Sequence, residues 1–353
     1  MKRLFLLALA AAAISNIPAQ AGSSTGAPAP EVRKIWDAST HNAFTDLVRW
    51  RGAWWCTFRE ADGHVSDDGR IRVLTSRDGE RWESSALIEE KGLDLRDPKF
   101  SVTPDDRLMI VCGRKSPGPR TKERFKSAVL FSTDGRNWTT PTVVLAGAWL
   151  WRVDWHQGVA YGVAYGSIDG LGRREPEAPD WKTNLYRSKD GLNWELVSQL
   201  AVAGLPNETT VRFLANGDML AMVRREGGDR MGWIGIARPP YKRWTWHENN
   251  YRFGGPNFIQ LPDGSIIAGT RDYTALPVTP DGRSAGSTAA RTIIGRLVPP
   301  MYTFEPFVTL PSAGDNSYPG LVWHDGMLWV SYYSSHEGKT SIYLAKVKLP
   351  KAR

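Results

Sequence analysis

Six stretches of the chain repeat one pattern, in which a short turn is followed by a nearly continuous apolar run. Runs of this kind are typical of strands that are covered on both faces. No long stretch shows the periodicity of an amphipathic helix, so the pattern predicts an all-β chain of strand–turn–strand units. These inner hairpins span Ala43–Glu60, Arg96–Arg114, Leu150–Gly166, Thr209–Arg225, Pro256–Asp272 and Tyr318–Ser334.

Each inner hairpin is followed by outer strands, and their arrangement predicts how the sheet array closes. The sixth unit has a single outer strand, Ser341–Val347. The segment Val32–Trp36 is suited to be the missing strand, and pairing it with the last unit would remove an open sheet edge. The sequence therefore predicts a six-bladed β-propeller of four-stranded antiparallel blades, with Ile35 and Trp36 beside Ile342–Val347.

A second repeat, Ser-x-Asp-Gly-x-x-Trp, lies in three outer hairpins at intervals of about fifty residues, a period typical of propeller blades. Asp and Gly tolerate the positive φ angles of a tight turn between strands, and the Trp can fold back beneath that turn. We expect the aspartates to shape turns on the rim rather than to take part in chemistry. They are Asp78, Asp134 and Asp190.

The N-terminus has the pattern of an export signal. A short basic start, an apolar run and a small-residue site predict a signal peptide over residues 1–21, followed by a flexible linker over 22–30 and one propeller domain over 31–353. The protein is therefore expected in the periplasm or outside the cell. The apolar run of the signal is too short to span a bilayer and no later segment comes close, so no membrane insertion is expected. The protein is expected to be a monomer.

Charge and cysteine content narrow the function further. The formal net charge of +8 is spread along the chain, which favours an anionic small ligand or polymer. A nucleic acid is not favoured, because the sequence has no cluster of Lys and Arg residues. Cys56 and Cys112 fall in predicted buried strands, so two packed thiols are expected rather than a disulfide bond, although export permits one. The histidines are scattered along the sequence, and we expect neither a metal nor a cofactor.

Three arginines occupy one position of the repeat. Arg59, Arg224 and Arg271 each lie seven residues after the glycine of an inner turn, and Tyr333 has the same position in the last unit. Because inner strands of a propeller end near its axis, these side chains are expected to converge there. They are interpreted either as a clamp for a carboxylate, which guanidinium groups bind in a bidentate manner, or as salt bridges between blades.

The three Asp-Gly repeats, together with the six units, resemble the Asp-box repeats of the sialidase superfamily. That resemblance implies a glycoside hydrolase in which arginines bind the sialic acid carboxylate, a Tyr–Glu pair supplies the nucleophile and an Asp acts as acid/base. Glu208 precedes Arg224 by a gap similar to that in the family, and Arg271 matches the third arginine. Tyr318 stands where the family's tyrosine opens the last blade, and Asp67 matches its aspartate.

One motif departs from the family. Where its first arginine is expected, this chain has His41-Asn42-Ala43-Phe44, so Asn42 stands near that position in the predicted ligand site. Arg59 is expected to reach the same place from the neighbouring strand. His64 is an additional acid/base candidate, since its pKa is ordinarily near neutral, or else a solvated loop residue. Asp67 also fits a purely structural role in its turn.

Three functions follow from these observations. The first is an exported sialidase-like exo-glycoside hydrolase that retains configuration through a tyrosyl–glycosyl intermediate and needs no cofactor. The second is a propeller glycosidase or lyase that acts on another sugar through His64 and Asp67. The third is a non-catalytic carbohydrate-binding propeller, which the matched Glu208 and Tyr318 disfavour. In each case the expected partner is a glycan or oligosaccharide.

Overall fold

The computed structural model describes residues 29–118, 124–166, 182–274 and 289–350. Within these ranges the chain forms 24 strands. The described residues contain no helix that is long and apolar enough to span a membrane. The strands make six four-stranded antiparallel sheets. The predicted six-bladed propeller is therefore confirmed. The predicted signal peptide and most of the linker lie outside the described residues.

The blades are numbered in chain order, each from its inner to its outer strand. Blade 1 contains β2 (His41–Trp50), β3 (Ala53–Ala61), β4 (Arg70–Ser76) and β5 (Glu83–Ile88), and blade 2 contains β6 (Asp94–Val102), β7 (Leu108–Lys115), β8 (Phe125–Ser132) and β9 (Thr142–Ala146). Blade 3 contains β10 (Trp149–His156), β11 (Val159–Gly166), β12 (Lys182–Ser188) and β13 (Glu195–Leu200), and blade 4 contains β14 (Pro206–Phe213), β15 (Met219–Arg225), β16 (Trp233–Ala237) and β17 (Trp244–Glu248). Blade 5 contains β18 (Asn257–Gln260), β19 (Ile266–Asp272), β20 (Arg291–Val298) and β21 (Thr303–Leu310), and blade 6 contains β22 (Asn316–His324), β23 (Met327–Ser334), β24 (Ser341–Val347) and β1 (Glu31–Trp36).

The ring closes through its N-terminal strand, as predicted. β1 pairs antiparallel with β24, with Trp36 opposite Ile342. Asn42 strengthens this closure, because its side-chain amide and its backbone N–H both donate to the carbonyl of Thr340. The Asn42 side chain is fully buried, so its predicted contact with a ligand is wrong. It joins blade 1 to blade 6 instead.

The apolar runs of the inner strands fill the spaces between blades. Trp54 of blade 1 packs on Trp329 of blade 6 with 4.2 Å between the ring centroids. Cys56 and Cys112 lie in two different core clusters as free thiols, as expected, and burial raises the pKa of both. The continuous apolar pattern thus reflects strands that are covered on both faces.

The repeated Asp-Gly turns join the third and fourth strands of blades 1, 2 and 3. In the second copy, Asp134 accepts hydrogen bonds at 2.8 Å from the backbone N–H groups of Arg136 and Asn137. Ser132 donates to Asp134 and accepts from Gly135. The predicted turn role of the aspartate is confirmed, and the other two copies have the same hydrogen bonds around Asp78 and Asp190.

Replacing Asp134 by Ala is expected to lower the free energy of unfolding by about 1–2 kcal/mol, because two backbone donors lose their acceptor. Activity of the folded variant should be unchanged, since the turn lies on the outer part of the blade. Urea denaturation measures the loss. The control is Glu195→Ala, which removes an exposed ion pair with Arg187 and should cost less than about 0.5 kcal/mol. Equal losses for the two variants would contradict the turn's structural role.

Candidate active site

Side chains from all six blades meet near the axis. In five blades the register of the first strand is interrupted by a bulge. At the bulges of β2, β6 and β22, Phe44, Asp97 and Tyr318 have φ angles of 66°, 49° and 53°. Such left-handed conformations are costly for residues other than glycine, and bulges redirect side chains. Lys99 supports one of them by donating to the carbonyls of Phe44 and Thr45.

The centre of the site is a buried tyrosine–glutamate pair. The phenol of Tyr318 donates to Glu208 Oε1 at 2.5 Å, which is the hydrogen-bond contact predicted from the sequence. Arg224 Nη1 lies 3.0 Å from the phenol oxygen and 2.6 Å from Glu208 Oε2. The Gly255 N–H donates to the same carboxylate oxygen. Burial and the Glu208 carboxylate raise the pKa of Tyr318 well above its ordinary value, so the phenol is neutral.

Arg271 approaches Tyr318 from blade 5. Its guanidinium carbon lies 5.6 Å from the centroid of the Tyr318 ring. It donates to the phenol oxygen of Tyr333 at 2.9 Å and lies 3.3 Å from Asp315. Tyr333 is fully buried, so this tyrosine orients Arg271 and Asp315, and its predicted ligand contact is wrong. Arg224 and Arg271 do converge on one site, as predicted.

Arg59 is not part of that convergence. Its side chain is fully buried and donates to Asp94 at 2.7 Å, to the carbonyl of Gly63 and to the hydroxyl of Ser66. The salt-bridge interpretation is therefore correct for Arg59, and the predicted carboxylate contact is wrong. Arg96, which the sequence did not single out, binds the other oxygen of Asp94 and lies 5.3 Å above the ring of Phe44.

The two predicted acid/base residues lie in different surroundings. Asp67 is half exposed and forms an ion pair with Lys115 at 2.6 Å. The hydrogen bond from Lys115 lowers the pKa of Asp67, so this carboxylate is a poor proton donor at neutral pH. His64 is also half exposed, but its Nδ1 lies 2.6 Å from Asp315, and its ring packs edge-on against Phe44. Since Phe44 also contacts Tyr318, His64 lies at the edge of the site.

Asp97 is a further functional candidate, which the repeat pattern of the sequence does not indicate. The residue is 8% exposed, and within the described part of the chain no hydrogen bond to its carboxylate is found. Burial raises the pKa of Asp97. The positive charges of Arg96 and Lys99 oppose that shift, and the negative charge of Glu208 adds to it. Asp97 also acts electrostatically on Tyr165 and Tyr333 of other blades. Asp97 therefore lies at the bulge of β6 as a buried carboxyl group with a raised pKa.

No protein-family model and no curated protein matches the chain. Solved structures of the same fold are found at low sequence identity. A Dyadobacter fermentans protein of unknown function has a TM-score of 0.75 and 19% identity, over 90% of this chain and 99% of that one. A Penicillium chrysogenum α-L-arabinanase complexed with arabinobiose has a TM-score of 0.68 and 13% identity, over 92% and 100% of the two chains.

A mutant of Trypanosoma rangeli sialidase displaying trans-sialidase activity has a TM-score of 0.68 and 12% identity. The match covers 92% of this chain and 60% of the sialidase chain. Identities this low establish the fold alone. The protein thus has the six-bladed propeller fold found in sialidases and arabinanases, as its sequence repeats predicted.

Proposed function

We propose that the protein is a retaining exo-glycoside hydrolase in which Tyr318 is the nucleophile and Glu208 its base. The observation that carries the proposal is the 2.5 Å hydrogen bond from the phenol to the carboxylate, in a buried site on the propeller axis. A neutral tyrosine is a weak nucleophile unless a neighbouring base takes its proton. The glycoside hydrolases that share this fold, a sialidase and an arabinanase, support a sugar substrate.

In the first step the Tyr318 oxygen attacks the anomeric carbon while its proton passes to Glu208. The bond to the leaving-group oxygen breaks, and that oxygen takes a proton from an acid on the enzyme. Arg224, within hydrogen-bond distance of both the phenol and Glu208, stabilises the negative charge as it moves between them. Water then attacks the anomeric carbon and gives a proton to the acid that was deprotonated in the first step, while Glu208 returns its proton to the departing phenolate. Two displacements leave the configuration unchanged.

Asp97 is the acid in this proposal. Its pKa is raised by burial, whereas the pKa of Asp67 is lowered by Lys115. Glu208 and Asp97 come from different blades, so the base and the acid can lie on opposite sides of a bound sugar. Two carboxyl groups with pKa values moved apart by their environments are the usual basis for such a division of roles.

The proposed substrate is a glycan with a terminal acidic sugar of the sialic acid type. A neutral phenol is not repelled by a carboxylate next to the anomeric carbon, whereas a negatively charged carboxylate nucleophile would be. Arg224 and Arg271 flank Tyr318, and Arg96 lies beyond Phe44, so a substrate carboxylate has guanidinium groups near it. Export, a monomeric state and a glycan partner belong to the same proposal.

A second candidate is a glycosidase or lyase that acts on another sugar. It is favoured by the charge balance of the site, because Arg96, Arg224 and Arg271 are already paired with protein carboxylates. An anion competes less well for guanidinium groups whose charge is compensated. His64, oriented by Asp315, would act as acid/base in that case.

A panel of fluorogenic glycosides that includes sialosides and arabinofuranosides tests the proposal. We expect the aglycone to be released from a sialoside. We also expect NMR to show that the sugar first forms with the retained anomeric configuration. Turnover of neutral glycosides alone would move the assignment to the second candidate. An unsaturated sugar product, detected by its ultraviolet absorption, would identify a lyase. Glycan binding without any turnover would contradict an enzymatic function.

A further inference from the structure

Two histidines and an aspartate converge beside the Tyr318–Glu208 pair, at the half-exposed edge of the site. One potential ligand atom from each of His41, His64 and Asp315 lies within 4.8 Å of the other two. We propose that these three side chains bind a divalent transition-metal ion, for which Zn²⁺ is the natural probe. No sequence motif indicates this site, because the three residues belong to β2, to the loop after β3 and to the approach to β22.

The donor atoms define the class of ion. Two imidazole nitrogens and one carboxylate oxygen suit Zn²⁺ and its late first-row neighbours. Ca²⁺ and Mg²⁺ prefer sets of oxygen ligands, which this cluster does not offer. Both free cysteines are buried in the blade cores, so thiolate ligands are not part of the site.

The geometry is close to that of a bound ion. The nitrogens of His41 and His64 lie 2.9 and 2.6 Å from the same oxygen of Asp315. Ligand atoms on a tetrahedral zinc ion are about 3.3 Å apart, given bonds of about 2.0–2.1 Å, so the nitrogens need to move outward by roughly half an ångström. His64 is 48% exposed and has room to do so, while His41 is held in β2. Metal bonds then replace the hydrogen bonds to Asp315.

The surroundings of Asp315 fit a metal ligand. Its Oδ1 accepts from the phenol of Tyr333 at 2.9 Å and lies 3.3 Å from Arg271, which directs Oδ2 towards the histidines. Outer contacts of this kind orient carboxylate ligands. The charge of Arg271 weakens the attraction for a cation but favours an anionic oxygen as the next ligand. Three protein ligands leave a position open, as in catalytic zinc sites.

The open coordination position of the ion lies near the proposed site of the sugar. The ring centroid of His64 lies 5.3 Å from that of Phe44, which in turn lies 5.2 Å from that of Tyr318. An ion held by His64 would therefore stand beside the bound sugar rather than at its reacting carbon. We infer that it holds a carboxylate or hydroxyl oxygen of the substrate. The role of the ion rests on the proposed sugar substrate, whereas binding of the ion requires none of the chemistry assigned to Tyr318.

The test is metal binding to the full protein after treatment with a chelator. Titration with Co²⁺ is expected to give visible d–d absorption that saturates at one ion per chain. Calorimetry with Zn²⁺ is expected to give the same stoichiometry. His64→Gln should lower the affinity at least about 100-fold. His247→Gln, on the outer strand β17, is the matched control and should bind like the unmodified protein. Circular dichroism and thermal unfolding show whether each variant folds.

Two results would overturn the proposal. One is the absence of saturable binding, and the other is a His64→Gln variant that is folded and binds as tightly as the unmodified protein. Either would leave His41, His64 and Asp315 as a hydrogen-bonded group. Tyr318→Phe is expected to bind Co²⁺ normally, so a failure of the glycosidase proposal and a failure of the metal site are separate outcomes.

Discussion

Replacing Tyr318 by Phe is expected to lower kcat roughly 10⁴-fold or more, with little change in KM, because the variant loses the nucleophilic oxygen and keeps the ring. The ring packs against Phe44 and Trp151 with centroid distances of 5.2 and 5.6 Å, and these contacts do not involve the hydroxyl. Glu208 and Arg224 remain paired at 2.6 Å without the phenol. The variant should therefore fold and bind substrate.

The measurement is the steady-state rate on the best glycoside of the panel. It is paired with mass spectrometry of the protein after reaction with a fluorinated glycoside of the same sugar, which traps a slowly hydrolysed intermediate. Tyr318 is expected to carry the added sugar. Tyr332→Phe is the matched control, since this neighbouring phenol donates to the carbonyl of Pro311 and is remote from Glu208. Turnover near that of the unmodified protein by Tyr318→Phe would exclude the tyrosyl mechanism.

Much of this site could be predicted because the chain is a repeat. The position of a residue after its inner turn determines how far along the blade it lies, so Arg224 and Arg271 were expected at one place, and the structure brings both to Tyr318. The same count gave Arg59 the same position. It is nevertheless buried there, because each of its three guanidinium nitrogens donates to Asp94 of the next blade or to the loop after β3. The repeat pattern of the sequence does not predict contacts between residues of different blades.

The residues that were missed depend on backbone conformation. Asp97 precedes a proline in β6 and appears in the sequence as an ordinary strand residue. Its φ of 49° and the bulge next to it take its side chain out of the regular alternation of a strand. A bulge of this kind has no signature in composition or spacing. His41 and Asp315 escaped notice for a related reason, since they approach each other only when the ring closes.

Replacing Asp97 by Ala is expected to lower kcat/KM about 10²–10⁴-fold on substrates with a poor leaving group. A glycosidic oxygen of an oligosaccharide leaves only when it is protonated, whereas an activated phenol leaves without help. The same variant should therefore keep most of its activity on an aryl glycoside with an acidic phenol. The measurement is the dependence of kcat/KM on the pKa of the leaving group, which should become steep in Asp97→Ala.

The pH dependence gives a second, independent readout. Burial raises the pKa of Asp97, and the nearby charges that oppose or add to this shift are Arg96, Lys99, Arg59 and Glu208. An acid catalyst must be protonated, so activity is expected to be high below the raised pKa of Asp97 and to fall as the pH rises through it. In Asp97→Asn this fall should disappear, because the amide does not titrate, and the remaining activity should be low throughout.

His64→Gln shows whether the acid has been assigned correctly. If Asp97 donates the proton, His64→Gln keeps the fall in activity at rising pH and the shallow dependence on the leaving group. If His64 donates it, both features change in His64→Gln and are retained in Asp97→Asn. The two residues differ in a way that makes this comparison decisive: His64 is half exposed and bonded to Asp315, while Asp97 is buried beside Arg96. Burial raises the pKa of Asp97, which keeps its carboxyl group protonated to higher pH, as an acid catalyst requires.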